Sequence, residues 1–563
     1  MTLLPRWPRQ TACAAIAGAL LVGSPAAAQP PRDPVARPGV EPTLIRGQVV
    51  AADTGAPVRL AQVSVSPRPG SGDSMTTTGA DGRYELSVPP GRYTVRATKA
   101  GYMSIDFGQR RAFEPGTLVE VRAGQPRDGV DFTLPRGAVI TGTVYNPFGE
   151  PAAGVSVQAL RYRFDNGQWQ LAGGGRGFAD LRMTDDRGVY RVHSLPPGSY
   201  FVQASMPAWW MNGRLWSLSG SRGNAPTYYP GTPDLEAAQR IDVGVGQEAA
   251  GIDFRLTTVP TLRVAGYVVG KDGQPVSSLP SVSLVRDDAS GSRASHGGRS
   301  EADGRFVIEG VLPGRYFAFA TESGPPGQTR FATAEVVVAG DDVDGVRLTL
   351  TAGASARGRI VFDAETEPPF NPDDLQPFTM PRGNLLVPVG RGIGHVNDDW
   401  TFEIRGLAGA QLVRLSGLPD AWSLRTVGLA GRDITDTPIL FPEHMPTTGL
   451  QVVLTDRTTT LTGRAVDADG RSTTDYTVVI FPEETHLRTF PSRFVRTARP
   501  NQHGAFSVSG LPPSQYLAFA APAIPQGSST NPEFLAGVAP SAARFALGDG
   551  ETRDITLRLG ALP

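Results

Sequence analysis

The sequence of 563 residues contains one cysteine, Cys13, and six histidines. A single cysteine cannot form a disulfide within the chain, and thiolate metal sites need several cysteines, so both are excluded. None of the histidines stands in a His-x-x-Glu, His-x-x-x-His or His-Glu-x-x-His pattern. Two ligands from one helix or strand therefore cannot converge on a metal, and we predict neither a metal site nor a cofactor.

An excess of one charge is also missing, because 53 lysines and arginines are balanced by 54 aspartates and glutamates. Without a long run of like charge, neither nucleic acid nor an anionic membrane surface is a predicted partner. No stretch after residue 28 approaches 18 continuous apolar residues, which argues against a membrane span. The Gly-x-Ser-x-Gly, phosphate-loop and dinucleotide-binding motifs are absent too, and we predict that the protein is not an enzyme.

Glycine and proline, in contrast, are abundant, with 67 and 50 residues. This composition is typical of many short strands joined by tight turns, and it favours an all-β fold. Near the N-terminus, Arg6 and Arg9 precede an apolar stretch that ends in the small residues Ala26-Ala27-Ala28. This order predicts a secretory signal peptide, and hence an exported protein that is periplasmic or extracellular.

One pattern recurs five times at intervals of about a hundred residues. Each copy has a polar turn, an alternating strand opened by an aromatic residue, a Pro/Gly turn and a second such strand. The copies are residues 79–97, 185–204, 301–320, 397–416 and 501–520. The interval is too long for a solenoid and fits whole domains.

Further strands surround each copy. An opening strand carries a glycine, as in Ile45-Arg46-Gly47-Gln48-Val49, and a closing strand alternates, as in Val130-Asp131-Phe132-Thr133-Leu134. The period of two is typical of antiparallel sheets with one face in water. Six or seven strands in about 100 residues predict a Greek-key sandwich, prealbumin-like or immunoglobulin-like, and five of these in tandem. Proline in the short joints favours an elongated array.

The predicted boundaries follow from these repeats. They are 1–28 for the signal peptide, 29–44 for a Pro-rich linker, and 45–136, 137–258, 259–351, 352–457 and 458–563 for modules one to five. Module four diverges, because Leu407-Ala408-Gly409-Ala410 replaces the Pro-Pro-Gly turn and a Pro-rich insertion at 365–382 lengthens a loop.

The run of a strand, an Asp-Gly turn, a Tyr/Phe strand and Leu-Pro-Pro-Gly-x-Tyr resembles the carboxypeptidase regulatory-like modules. These are prealbumin-like sandwiches, related to Cna-B-type adhesin repeats and to the starch-binding-like fold. The resemblance implies binding, scaffold or stability modules outside the cytoplasm, without chemistry of their own. The Lys–Asn crosslink of Cna-B repeats is not expected in modules two, four and five, because the only lysines are Lys99 and Lys271.

Module two stands out by its aromatic residues, which fall in two predicted insertions at 161–183 and 206–236. They are Trp169, Trp209, Trp210, Trp216, Tyr228 and Tyr229. Aromatic faces on loops of a rigid sandwich can stack on sugar rings or anchor a protein partner. A long loop must also bury something to stay ordered, so these residues could equally plug the sandwich end or a joint between modules.

The sequence therefore predicts a non-catalytic, exported binding or spacer protein of the cell envelope, with carbohydrate as the favoured ligand class. The alternatives are a purely structural or protein–protein scaffold, and an accessory subunit of a peptidase or outer-membrane transporter. A glycan or an envelope protein is the expected partner, and the oligomeric state stays open.

Overall fold

The computed structural model describes most of the chain from residue 42 onward. The described residues are 42–562 without 67–73, 112, 115, 166, 174–181, 207–221, 277, 288–294, 323–328, 382–391, 420, 443–444 and 502. The predicted signal peptide and most of the Pro-rich linker lie outside them. Within this part of the chain the secondary structure is almost entirely β, with one α-helix, α1 (Pro532–Val538).

Module one forms two facing sheets. Its strands are β1 (Thr43–Ala51), β2 (Gln62–Ser66), β3 (Met75–Thr77), β4 (Arg83–Val88), β5 (Gly91–Thr98), β6 (Ile105–Asp106), β7 (Val119–Val121) and β8 (Phe132–Leu134). One sheet has the order β4-β1-β8, and the other has the order β3-β2-β5-β6, with β7 also paired to β5. Between them lies a core that includes Ile45, Val63 and Val95, all fully buried.

Module two repeats this sandwich with a longer second sheet. Its strands are β9 (Ala138–Tyr145), β10 (Ser156–Asp165), β11 (Gln168–Gly173), β12 (Arg182–Met183), β13 (Val189–Leu195), β14 (Gly198–Ser205), β15 (Arg222–Asn224), β16 (Thr227–Tyr228), β17 (Arg240–Val243), β18 (Glu248–Ala249), β19 (Phe254–Arg255) and β20 (Thr258–Pro260). The sheets are β13-β9-β18, with β19 also paired to β9, and β11-β10-β14-β16, with β12 also paired to β10 and β17 to β14. A short pair of β15 and β20 lies at the joint to module three.

Module three is the plainest sandwich. Its strands are β21 (Leu262–Val269), β22 (Ser281–Arg286), β23 (Ser295–Arg299), β24 (Arg305–Val311), β25 (Gly314–Glu322), β26 (Arg330–Val338) and β27 (Val343–Thr349). The two sheets have the orders β24-β21-β27 and β23-β22-β25-β26. Their inner faces bury Val264, Leu284, Phe306 and Tyr316.

Module four forms one continuous sheet of nine strands instead of two separate sheets. Its strands are β28 (Ala354–Phe362), β29 (Gln376–Pro381), β30 (Ile393–Val396), β31 (Thr401–Leu407), β32 (Ala410–Ser416), β33 (Ser423–Leu429), β34 (Arg432–Asp433), β35 (Ile439–Leu440) and β36 (Thr447–Thr455). The order is β34-β33-β36-β28-β31-β30-β29-β32-β35. The Pro-rich insertion predicted as a loop contains β29, which pairs along its whole length with β32, so that prediction is wrong for residues 376–381.

Module five returns to the sandwich and adds a helical insertion. Its strands are β37 (Thr460–Val466), β38 (Ser472–Thr473), β39 (Thr477–Pro482), β40 (Arg496–Ala498), β41 (Ala505–Ser509), β42 (Ser514–Ala521), β43 (Ala543–Leu547) and β44 (Thr552–Arg558). The sheets are β38-β37-β41, with β44 on β37, and β40-β39-β42-β43. Helix α1 packs Leu535 and Val538 against the outer face of the second sheet. Each of the five main cores draws on one predicted module, while the exact boundaries stay predictions.

The closing strand of every module pairs in parallel with its opening strand, as β8 does with β1 and β44 with β37. The antiparallel pairing that the alternation of residues predicts is wrong for this pair of strands. A parallel pair needs a long crossover between its strands, and the intervening strands of the module supply it.

The spacing that recurs at the Pro/Gly turn of the modules is accompanied by a recurring hydrogen bond. The hydroxyl of the second aromatic donates to the carbonyl oxygen four residues earlier, at the start of the turn. These pairs are Tyr93–Pro89, Tyr200–Pro196, Tyr316–Leu312 and Tyr516–Pro512, with oxygen–oxygen distances of 2.6–2.9 Å. In module four the equivalent residue is Leu412, which has no hydroxyl group to donate.

Neighbouring modules are braced at two joints. Between modules one and two, the Gly101 amide donates to the Ser194 hydroxyl at 3.0 Å, and the Gly137 amide donates to the Gly101 carbonyl oxygen at 3.0 Å. Between modules four and five, Arg493 lies 2.9 Å from the Asp436 carboxylate and donates to the Leu424 carbonyl oxygen. These contacts hold the modules of each pair in a defined relative position.

Modules that are distant in the chain also touch. Arg111 of module one forms an ion pair with Asp475 of module five at 2.9 Å, and Arg499 pairs with Glu114 at the same distance. In the described part of residues 42–562, contacts between modules are therefore not limited to modules that are neighbours in the chain.

Candidate functional site

The six aromatic residues predicted as a ligand site have different surroundings. Trp209, Trp210 and Trp216 lie outside the described residues. Tyr228 is only 4% exposed, and its hydroxyl accepts a hydrogen bond from the Gln203 side chain at 2.8 Å. Tyr229 faces the other way and packs edge-on against Phe254, with 6.2 Å between ring centroids. These two tyrosines pack inside module two, which is the second interpretation that the sequence left open.

Trp169 has a different environment, because it lies on a hairpin and is 48% exposed. Strand β10 runs on to Asp165, and β11 pairs with it from Gln168 to Gly173. The insertion predicted at residues 161–183 thus contains strands of a hairpin, which were not predicted. The signal was present in Asn166-Gly167, a dipeptide that favours two-residue hairpin turns.

Tyr162 lies beside Trp169 and was not predicted. In the hairpin, Tyr162 pairs with Leu171 and Phe164 pairs with Trp169, so all four side chains point to one face. Tyr162 and Trp169 are diagonal neighbours on that face, which places their Cα atoms about 7–8 Å apart. Tyr162 is 40% exposed, so two adjacent aromatic side chains are open to solvent.

A small second core supports this pair of rings, which we call the aromatic face. Trp169 packs edge-on against Phe164 at 5.7 Å, and Tyr162 packs edge-on against Phe201 at 5.8 Å. Leu160 and Leu171 are buried with Phe201 in the same cluster. Edge-to-face packing fixes the tilt of each exposed ring, so the aromatic face is held in shape before any ligand arrives.

The opposite face of the hairpin contacts two other modules. The Arg161 guanidinium carbon lies 3.2 Å from the ring centroid of Phe113 in module one, and its Nη2 donates to the Gln526 side chain of module five at 2.7 Å. Burial lowers the pKa of Arg161. Gly527 of module five approaches so closely that an added Cβ would lie 1.9 Å from the carbonyl oxygen of Phe164. Modules one and five therefore hold the hairpin in place on the face opposite to the aromatic face.

The aromatic face offers ring surfaces that a ligand can contact. Among the described residues, no group of three or more His, Cys, Asp or Glu side chains is arranged to hold a metal ion. His193, which lies in module two, has its Nδ1 2.9 Å from the Ser194 hydroxyl. Burial and the nearby Arg182 lower the pKa of His193, so its ring is neutral at physiological pH. The protein's lack of catalytic activity stays a prediction.

Comparison with known families identifies one of the modules. Residues 44–135 match the carboxypeptidase regulatory-like domain, which is the family that the repeated sequence pattern resembles. The match covers the first module, and the described residues after it form a series of further β-sheets. No curated protein matches the sequence.

Several solved multi-domain β proteins are similar at low sequence identity. The TIE protein of Bacillus anthracis is 10% identical, with a TM-score of 0.14 over 70% of this chain and 68% of that one. A streptococcal ancillary pilin is 13% identical, with a TM-score of 0.20 over 55% of this chain and 99% of its own. BcpA, the major pilin subunit of Bacillus cereus, is 10% identical, with a TM-score of 0.14 over 53% and 99%. Scores in this range support no conclusion about function or assembly.

Proposed function

We propose that this chain is a non-catalytic, exported protein of the cell envelope that presents a binding surface on a frame of β-modules. The aromatic face of the β10–β11 hairpin is the observation that supports this function. Tyr162 and Trp169 are exposed side by side, while the back of the same hairpin is clamped by Phe113 and Gln526. A preorganised surface loses little conformational entropy when it binds, which favours a recognition role over a purely passive one.

Carbohydrate is the favoured ligand class. The flat apolar side of a sugar ring can stack on an exposed indole or phenol ring, and two neighbouring rings can contact two successive sugars. Arg240, whose guanidinium carbon lies 5.2 Å from the Phe201 ring centroid, adds hydrogen-bond donors near the same cluster. Carbohydrate binding also agrees with the starch-binding-like fold to which the sequence pattern is related.

The proposed location follows from the sequence. Residues 1–28 have the order of a secretory signal peptide, and removal of that peptide would release a periplasmic or extracellular protein. The helices in the described part of the chain include none that is long and apolar enough to cross a membrane.

The braced joints favour a second candidate, a structural scaffold for envelope proteins. The ion pair of Arg493 with Asp436 and the hydrogen bond from Gly101 to Ser194 fix neighbouring modules, as a spacer would require. An accessory subunit of a peptidase or outer-membrane transporter is one form that such a scaffold could take.

Affinity electrophoresis of residues 29–563 in gels containing soluble starch, xylan or peptidoglycan fragments tests the proposal. At least one polymer should retard the protein, and Trp169→Ala should weaken binding about tenfold, equivalent to about 1.4 kcal/mol. Tyr267→Ala is a matched control, because Tyr267 of module three is 50% exposed but lies outside the aromatic face.

The control should bind like the wild type. Equal binding by the wild type and Trp169→Ala would remove the aromatic face from the proposal. No retardation in any of these gels would leave the scaffold as the better function.

A further inference from the structure

Two braced pairs of modules form the frame, and module three connects them. Modules one and two are joined by the hydrogen bonds Gly101–Ser194 and Gly137–Gly101, and modules four and five by the ion pair Arg493–Asp436. The covalent path from one pair to the other runs through residues 259–351. Any direct contact between the pairs therefore closes a loop through module three.

The first direct contact joins module one to module five. Arg111 donates from Nη2 to Asp475 at 2.9 Å and from Nη1 to the Pro522 carbonyl oxygen at 2.7 Å. Beside it, Arg499 lies 2.9 Å from Glu114, and their side chains are 5% and 3% exposed. Arg499 also donates to the Gly108 carbonyl oxygen. Charged groups from both modules thus meet in a partly buried cluster, in which each charged side chain contacts one of opposite sign.

The second direct contact joins module two to module five through their two insertions. The β10–β11 hairpin lies against residues 526–527 in the insertion that also carries α1, with Arg161 bound to Gln526. At the hairpin turn, a Cβ built on Gly167 would lie 3.4 Å from Cβ of Phe490 in module five. Neither insertion is part of the plain sandwich in module three. The insertion of module two contacts the insertion of module five.

We propose that these contacts form an ionic lock that closes modules one and two against module five and opens reversibly. The lock depends on charge, because Arg111 and Asp475 keep 44% and 30% of their side-chain surface exposed, where salt screens attraction. When the lock is open, module three is the remaining connection between the two pairs. This inference does not depend on the proposed function.

A disulfide trap measures the closed state. Positions 167 and 490 have a Cβ–Cβ separation close to that of a disulfide, about 3.5–4.5 Å. Residues 29–563 contain no cysteine, so Gly167→Cys with Phe490→Cys introduces the only pair of thiols. Met183→Cys with Phe490→Cys is the control, because Met183 pairs with Ser156, eight residues from Phe164 along β10 and hence about 26 Å away.

In low salt, the 167/490 pair should oxidise within one chain at least about ten times faster than the control pair, because the lock raises the effective concentration of its thiols. The rate should fall in about 1 M salt, where the Debye length is only about 3 Å. Adding Arg111→Ala and Arg499→Ala should lower the rate as well. Equal rates for both thiol pairs, or a rate that responds to neither salt nor the arginine substitutions, would overturn the lock.

Small-angle scattering gives a second measurement that needs no thiol. The Arg111→Ala/Arg499→Ala protein should have a larger radius of gyration than the wild type in low salt. Arg471→Ala is the control, because Arg471 pairs with Asp469 inside one turn of module five. An unchanged radius in the double variant, with circular dichroism like that of the wild type, would also overturn the lock.

Discussion

At the scale of single residues, the glycine of each opening strand has a specific steric role. A Cβ built at this position would lie 1.9–2.4 Å from a carbonyl oxygen of the segment leading into or within the closing strand. The glycines are Gly47, Gly142, Gly266, Gly358 and Gly463, and the oxygens belong to Val130, Ile252, Val346, Leu450 and Ile555. The sequence showed the repeated glycine, but its reason is the parallel partner strand, which lies about 80–110 residues further along the chain.

Gly266→Ala should therefore destabilise module three. The added methyl group meets Val346 backbone atoms at 1.9–2.9 Å, so strand β27 has to move, at a cost of about 3 kcal/mol. Hydrogen exchange followed by mass spectrometry should show faster exchange in peptides from β21 and β27. Gly297→Ala is the control in the same module, because the nearest atoms to its Cβ lie at 3.7 Å. Exchange in Gly266→Ala no faster than in this control would contradict the steric role.

At the scale of elements, module four shows how one strand with two partners changes a sandwich. Strand β30 pairs with both β31 and β29, and this connects what are two separate sheets in modules one, three and five. The divergent turn at residues 407–410 indicated that this module differs, but not how. Pairing between strands depends on which backbone edges meet in space, and a Pro-rich stretch gives little local sign of a strand such as β29.

Trp422 supports this merged sheet from within the core of module four. It is 6% exposed and packs edge-on against Phe370 and Phe362, at 5.3 and 5.8 Å. Trp422→Ala should cost module four about 3–5 kcal/mol, because it leaves a cavity between large rings. Leu440→Ala, at a side chain that is 75% exposed, should change stability by less than about 0.5 kcal/mol. Denaturant unfolding followed by the remaining tryptophan fluorescence measures both, and equal midpoints would disprove the supporting role.

At the scale of the whole molecule, a few arginines decide how modules are arranged. Arg493 reaches from module five to Asp436 and to the Leu424 carbonyl oxygen, with only 18% of its side chain exposed. A partly buried charge that loses its partner costs far more than an exposed pair contributes. The joint between modules four and five is therefore expected to make their unfolding cooperative.

Arg493→Ala should separate the unfolding of modules four and five. We expect one calorimetric transition for this pair in the wild type and two in the variant, with a loss of about 2–4 kcal/mol in coupling. Arg471→Ala, whose exposed ion pair lies within module five, should leave the single transition intact. Two transitions already present in the wild type would show that the joint does not couple the modules.

The sequence by itself determined the all-β class, the fivefold repeat and the family of the first module. These properties depend on alternation and turn residues that act between near neighbours in the chain. Only the tertiary structure decided the parallel pairing, the merged sheet of module four and the aromatic face. The same holds for the contact of Arg111 with Asp475, because partners 364 residues apart meet only after the intervening modules have been placed in space.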